Sequence, residues 1–100
     1  MNSKLNIDIL KNSLVHDYEL KDIIICYERY LIEIHLLSPR GENFIIKIPN
    51  FSLFRINREE KWGLGKYICS SEVSENKNNY IIEIELNSGD TIFIESLATN

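Results

Sequence analysis

His16 and Asp17 are adjacent, a combination that occurs in phosphohydrolase metal sites. Such sites surround the cation with several further His, Asp or Glu ligands. This chain offers one other histidine, His35, on a stretch with strand periodicity, so no metal ligand is assigned. The bland alternative for the pair is a turn or cap before a strand beginning near Leu20, its side-chain oxygens accepting backbone N–H bonds. Glu83 and Glu85 are spaced to share one strand face, with carboxylates about 7 Å apart. Glycosidase-type acid and base work would need one of them desolvated in a cleft; a solvated outer face is the ordinary outcome. No GxSxG elbow is present and no cysteine adjoins a base in sequence, so no nucleophile is assigned. Trp62-Gly63-Leu64-Gly65-Lys66 holds a GxG but lacks the third glycine and the following helix of a dinucleotide site. Neither a catalytic residue nor a cofactor is expected.

The remaining chemistry is that of recognition. Trp62 stands among Arg58, Glu59, Glu60, Lys61 and Lys66. It is either a plug over the end of the core or a rigid aromatic anchor for a partner, where Trp and Arg are enriched. Between Glu72 and Glu95 lie six acidic residues, Glu72, Glu75, Glu83, Glu85, Asp90 and Glu95, against Lys77 alone. That segment supplies most of the negative field, which suits a basic partner; the same charges also serve solubility.

The elements that must position these groups follow a period of two. Tyr30, Ile32, Ile34 and Leu36 alternate with Leu31, Glu33, His35 and Leu37, as in a strand with one buried face. Phe44–Ile48, Tyr80–Asn87 and Thr91–Glu95 repeat the pattern, and weaker versions cover Ile23–Tyr27, Leu53–Asn57 and Tyr67–Val73. β-Branched and aromatic residues dominate these stretches. Short polar connections at Glu28-Arg29, Ser38–Asn43 and Glu75–Asn79 imply antiparallel neighbours.

The last hairpin has two candidate registers. A two-residue Ser88-Gly89 loop would set Glu85 opposite Ile92, whereas a three-residue Asn87-Ser88-Gly89 loop sets Ile84 opposite Ile92 and Ile82 opposite Ile94. The second gathers the isoleucines on one face and lets Gly89 take a left-handed conformation. Glu83, Glu85, Glu95, Thr91 and Phe93 then share the other face. Near the N-terminus, Leu5, Ile7 and Ile9 alternate like a strand, while Ile7, Leu10 and Leu14 have helical spacing after a cap at Ser3; either form would cover a sheet edge.

These readings give a single domain over residues 1–100: an antiparallel β-sandwich or partly open barrel of about seven strands, with a short N-terminal helix or strand. Composition agrees, since 100 residues with 44% hydrophobic and 26% charged side chains suit one core without staples. A net charge of −4 argues against direct nucleic-acid binding. No window approaches the roughly 20 apolar residues of a membrane-spanning helix, and the N-terminal stretch lacks a signal-peptide core. A cytoplasmic protein is expected, with Cys26 and Cys69 as buried free thiols.

His16-Asp17-Tyr18-Glu19-Leu20-Lys21-Asp22-Ile23, the Phe-rich strand from Phe51 to Ile56 and Trp62-Gly63 before another strand together carry a resemblance. From Val15 to Ile94 the chain resembles small bacterial HD-x-E-L-containing immunity-like proteins of polymorphic toxin and contact-dependent growth inhibition systems. The resemblance implies a toxin inhibitor that is no enzyme and acts by protein–protein interaction, a cognate toxin domain being the partner and a basic nuclease the expected toxin. On this reading the contacts are Glu83, Glu85, Phe93 and Glu95 on the last hairpin, with Trp62 and Lys66 in the loop. The alternatives are a small-molecule or peptide-binding β module with the Trp62 loop over a cavity, and a weak hydrolase using His16 and Asp17. Monomer and homodimer both remain open, since exposed strand edges could pair two copies.

Overall fold

The computed structural model describes residues 7–97, and it is mainly β, as the alternation predicts. Seven strands follow one short 3-10 segment: η1 (Ile7–Ser13), β1 (Glu19–Cys26), β2 (Leu31–Leu37), β3 (Asn43–Pro49), β4 (Phe51–Asn57), β5 (Ile68–Glu75), β6 (Asn79–Leu86) and β7 (Thr91–Leu97). They form two antiparallel sheets, β1-β2-β3 and β4-β7-β6-β5. The arrangement is a sandwich rather than a closed barrel. The proposed N-terminal cap at Ser3 and the strand-like Leu5 lie outside the described residues.

Isoleucine fills the space between the sheets. Ile34 faces Ile46 and Ile32 faces Ile48 across β2 and β3, while Ile82 faces Ile94 and Ile84 faces Ile92 across β6 and β7. All eight are fully buried. The last hairpin thus has the register of the three-residue loop, with Gly89 at φ +94°. A one-residue slip would have broken the match of Ile82 with Ile94 and of Ile84 with Ile92 and put inward residues of one strand against outward residues of the other.

The sheets meet at two seams. At one, only Asn50 separates β3 from β4; it sits at φ +55°, a conformation Asn tolerates better than most side chains. Its carbonyl accepts the Leu97 N–H at 2.9 Å, and the Pro49 carbonyl accepts the Ser96 hydroxyl at 2.6 Å. At the other, Asp17 N–H donates to the Ile68 carbonyl (2.8 Å), Ile68 N–H to that of Tyr18 (2.9 Å) and Leu20 N–H to that of Lys66 (2.8 Å). The His16–Leu20 segment therefore stitches β1 to the start of β5. At the edge strands β1 and β4 the core is less sealed: Ile25 and Ile56 face inward by register yet stay 44% and 41% exposed.

The N-terminal element covers a sheet edge, as its apolar pattern implies. Leu10 is fully buried, and the segment packs along β5. Ser71 N–H donates to Ser13 Oγ at 3.1 Å, and Asn12 N–H reaches Glu72 Oε1 at 3.4 Å. Such cover keeps the unpaired backbone groups of β5 from other chains.

Candidate docking face

The outward residues of the four-stranded sheet form a grid whose rows run across all four strands. The central row is Arg55 (β4), Phe93 (β7), Glu83 (β6) and Glu72 (β5). Beside it runs Asn57, Thr91, Glu85 and Ser70; on the other side run Leu53, Glu95, Ile81 and Ser74. The first two rows line a shallow hollow of about 420 Å³. Half-buried Phe93, Ile81 and Leu53 give the face an apolar centre, and the carboxylates surround it. An apolar centre with a polar surround is the anatomy of a protein–protein interface.

The electrostatics are lopsided. Among the described residues no cation lies within ion-pair distance of Glu72, Glu83, Glu85 or Glu95, because the paired lysines and arginines sit elsewhere. Glu72 and Glu83 face each other directly, an arrangement that destabilises a sheet. Ser70 Oγ approaches Glu85 Oε1 at 3.5 Å, and Asn79 Nδ2 donates to Glu95 Oε2. The one cation of the grid is Arg55, whose guanidinium carbon lies 5.2 Å from the Phe93 ring centroid. That is cation–π geometry.

Of the six residues expected to bind a partner, Glu83, Glu85 and Phe93 come together in the hollow. Glu95 shares their face one row away, held by Asn79. Trp62 and Lys66 do not join them in the hollow. Trp62 is 68% exposed and lies against the hairpin tip, so the plug over the core is ruled out; a Cβ added to Gly89 would meet its ring at 3.1 Å. Lys66 Nζ instead pairs with Glu19 Oε2 at 3.0 Å, at the seam between β1 and β5. The hydrogen bond holds the Glu19 carboxyl below its ordinary pKa and raises that of Lys66.

The Trp62 loop is nonetheless tied down. Asp90 Oδ1 accepts the Glu60 N–H at 2.7 Å, and the Ser88 carbonyl accepts the Trp62 N–H at 3.0 Å. The Glu60 N–H is the main cause of the lowered Asp90 pKa, with the Ser88 side chain contributing. Asp90 is only 3% exposed, which corrects its inclusion in an acidic surface: it faces inward in step with Ile92 and Ile94 and serves the loop.

The other sequence candidates are spread over the molecule. His16 Nδ1 lies 3.4 Å from Asp17 Oδ2 in an exposed turn before β1, and His35 Nε2 lies 3.0 Å from Glu33 on the outer face of the other sheet. Among the described residues no cluster of His, Cys, Asp and Glu could hold a metal ion. Both thiols are free, but neither is fully buried: Cys26 is half-buried on edge strand β1, and Cys69 is exposed where the β5–β6 register shifts. No helix among the described residues is long and apolar enough to cross a membrane.

Two residues of the face are not among the expected contacts, Glu72 counting only as part of the acidic segment. Strict alternation from buried Ile68 would turn Glu72 inward; the bulge between Ile68 and Ser70 reverses the parity and brings it out. Arg55 was legible, since Phe54 and Ile56 on the inner face leave it on the outer one. Comparison with known proteins finds no matching family model, no matching curated protein and no matching solved structure.

Proposed function

We propose that this protein is a cytoplasmic immunity protein that binds and neutralises a cognate toxin domain, a basic nuclease, through the outer face of its four-stranded sheet. The observation that carries this reading is the central row itself, in which Glu83 and Glu72 stand side by side next to the half-buried Phe93, with no ion-pair partner for either carboxylate among the described residues. Like charges kept together on a folded sheet lower its stability. A basic partner converts the same charges into a source of rapid association and specificity. The sequence resemblance supplies the class of partner, and the protein acts by occupying the nuclease's basic surface rather than by catalysis. A contact of standard size, about 800 Å² on each side, would cover this face and its surroundings.

The small-molecule alternative is less well supported, because the space it would need between the sheets is taken by buried isoleucines. The test is to read the neighbouring gene and, where it encodes a large secreted protein with a variable C-terminal domain, to co-express that domain with this protein; a metabolic operon in its place contradicts the reading. Co-purification and protection of the producing cell support the reading; growth arrest despite expression of this protein, with no complex recovered, contradicts it.

A further inference from the structure

We propose that the hollow on the outer face is a seat for one arginine side chain of a protein partner, formed by the Phe93 ring with the Glu83 and Glu72 carboxylates, and that Arg55 is its resident stand-in. The inference rests on the docking reading above and adds to it the chemical group that is recognised.

Two independent observations meet at this place. The ring of Phe93 already carries a guanidinium, that of Arg55, at 5.2 Å from its centroid. This contact shows that the outward face of the half-buried ring accepts a planar cation, here one from its own cross-strand neighbour. On the far side of Phe93 the row continues into Glu83 and Glu72, which line the same hollow and have no cation of their own among the described residues. The Asn12 N–H at 3.4 Å from Glu72 Oε1 orients that carboxylate without neutralising it.

An arginine entering the hollow would lay its guanidinium on an aromatic face while its N–H groups donate to carboxylates from adjacent strands. Arginine suits this better than lysine, because its planar fork both stacks on rings and pairs with carboxylates. Arg55 competes for the same ring and partly offsets the field of the face. It yields when a partner presents a better-placed guanidinium.

The test uses two probes of equal charge, a hexa-arginine and a hexalysine peptide, titrated into the protein at low salt with backbone amide shifts and calorimetry as readouts. The arginine peptide should bind about three- to ten-fold more tightly, the advantage expected from one exposed cation–π contact with paired carboxylates. Its largest shifts should fall on Glu72, Glu83 and Phe93. Glu72→Gln and Phe93→Leu should each remove the preference for arginine, with an unchanged fold verified from the shifts of the β2–β3 sheet. Arg55→Gln should tighten the arginine peptide more than the lysine peptide, and Phe93→Leu should abolish that difference.

Equal affinities for the two peptides overturn the seat, as does a preference that survives Phe93→Leu. An equal tightening of both peptides by Arg55→Gln assigns Arg55 a purely electrostatic effect and overturns its role as stand-in. The toxin-domain experiment separates this outcome from the function. A complex formed on this face without an arginine preference removes only the seat, whereas an arginine preference without a complex removes only the immunity reading.

Discussion

Glu72 and Glu83 are direct cross-strand neighbours on the outer face of the four-stranded sheet, and among the described residues no cation lies between them. The pair opposes folding and favours association with a positive surface. Glu72→Gln should therefore raise stability by roughly 0.2–1 kcal/mol, the size of a cross-strand pair term. Denaturant unfolding at low and high salt checks this, and the gain should shrink at high salt as screening weakens the repulsion it relieves.

Gly89 couples hairpin register to the Trp62 loop. At φ +94° a side chain is strained, and a Cβ would press on the Trp62 ring at 3.1 Å. Gly89→Ala should cost about 1–2 kcal/mol and change the tryptophan emission. An unaltered spectrum with unaltered stability would show that the loop does not rest on the hairpin tip.

Asp90 sets an acid limit on the same contact. Its pKa is lowered in the folded protein, chiefly by the Glu60 N–H, so its contribution to stability is complete above the unfolded value near 3.9 and is lost as pH falls through the folded value. Asp90→Asn should be less stable at neutral pH, and its stability should fall less steeply below about pH 4 than that of the native protein. Chemical denaturation across that range reads both effects.

Leu10 tests the edge cover. The Ile7–Ser13 segment is broken by non-helical Lys11 and Asn12 and has little stability of its own, so docking rests on this fully buried side chain. Leu10→Ala should cost about 2–5 kcal/mol and expose the edge of β5. Thermal melts measure the loss, and light scattering should detect the association of exposed edges.

Most of the fold was legible because half-buried antiparallel strands write their burial directly into alternate residues. Ile82, Ile84, Ile92 and Ile94 defined both the last hairpin and its register, and the face opposite them followed. Legibility ended where the backbone breaks the period. The bulge at Cys69 reversed the parity of β5, hiding which face Glu72 takes and exposing a thiol expected to be buried. It ended also where a residue's role is set by a distant element: Lys66 and Asp90 look like surface charges in sequence, and only the seam and the loop reveal their partners Glu19 and Glu60. The Trp62 loop has no periodicity to read, so neither its seat on Gly89 nor its separation from the hollow could be foreseen.

The central claim is that the outer face of the four-stranded sheet docks a basic toxin domain. Its most direct test is the association rate with a toxin domain that co-purifies with this protein, measured by stopped flow over a range of ionic strength for the native protein and for Glu83→Lys/Glu85→Lys. The account predicts fast, salt-sensitive association for the native protein, and for the variant a rate slowed by about ten-fold or more at low salt with a much flatter salt dependence, while its unfolding transition stays cooperative. An unchanged rate and salt dependence in the folded variant would contradict it and place the interface elsewhere on the molecule.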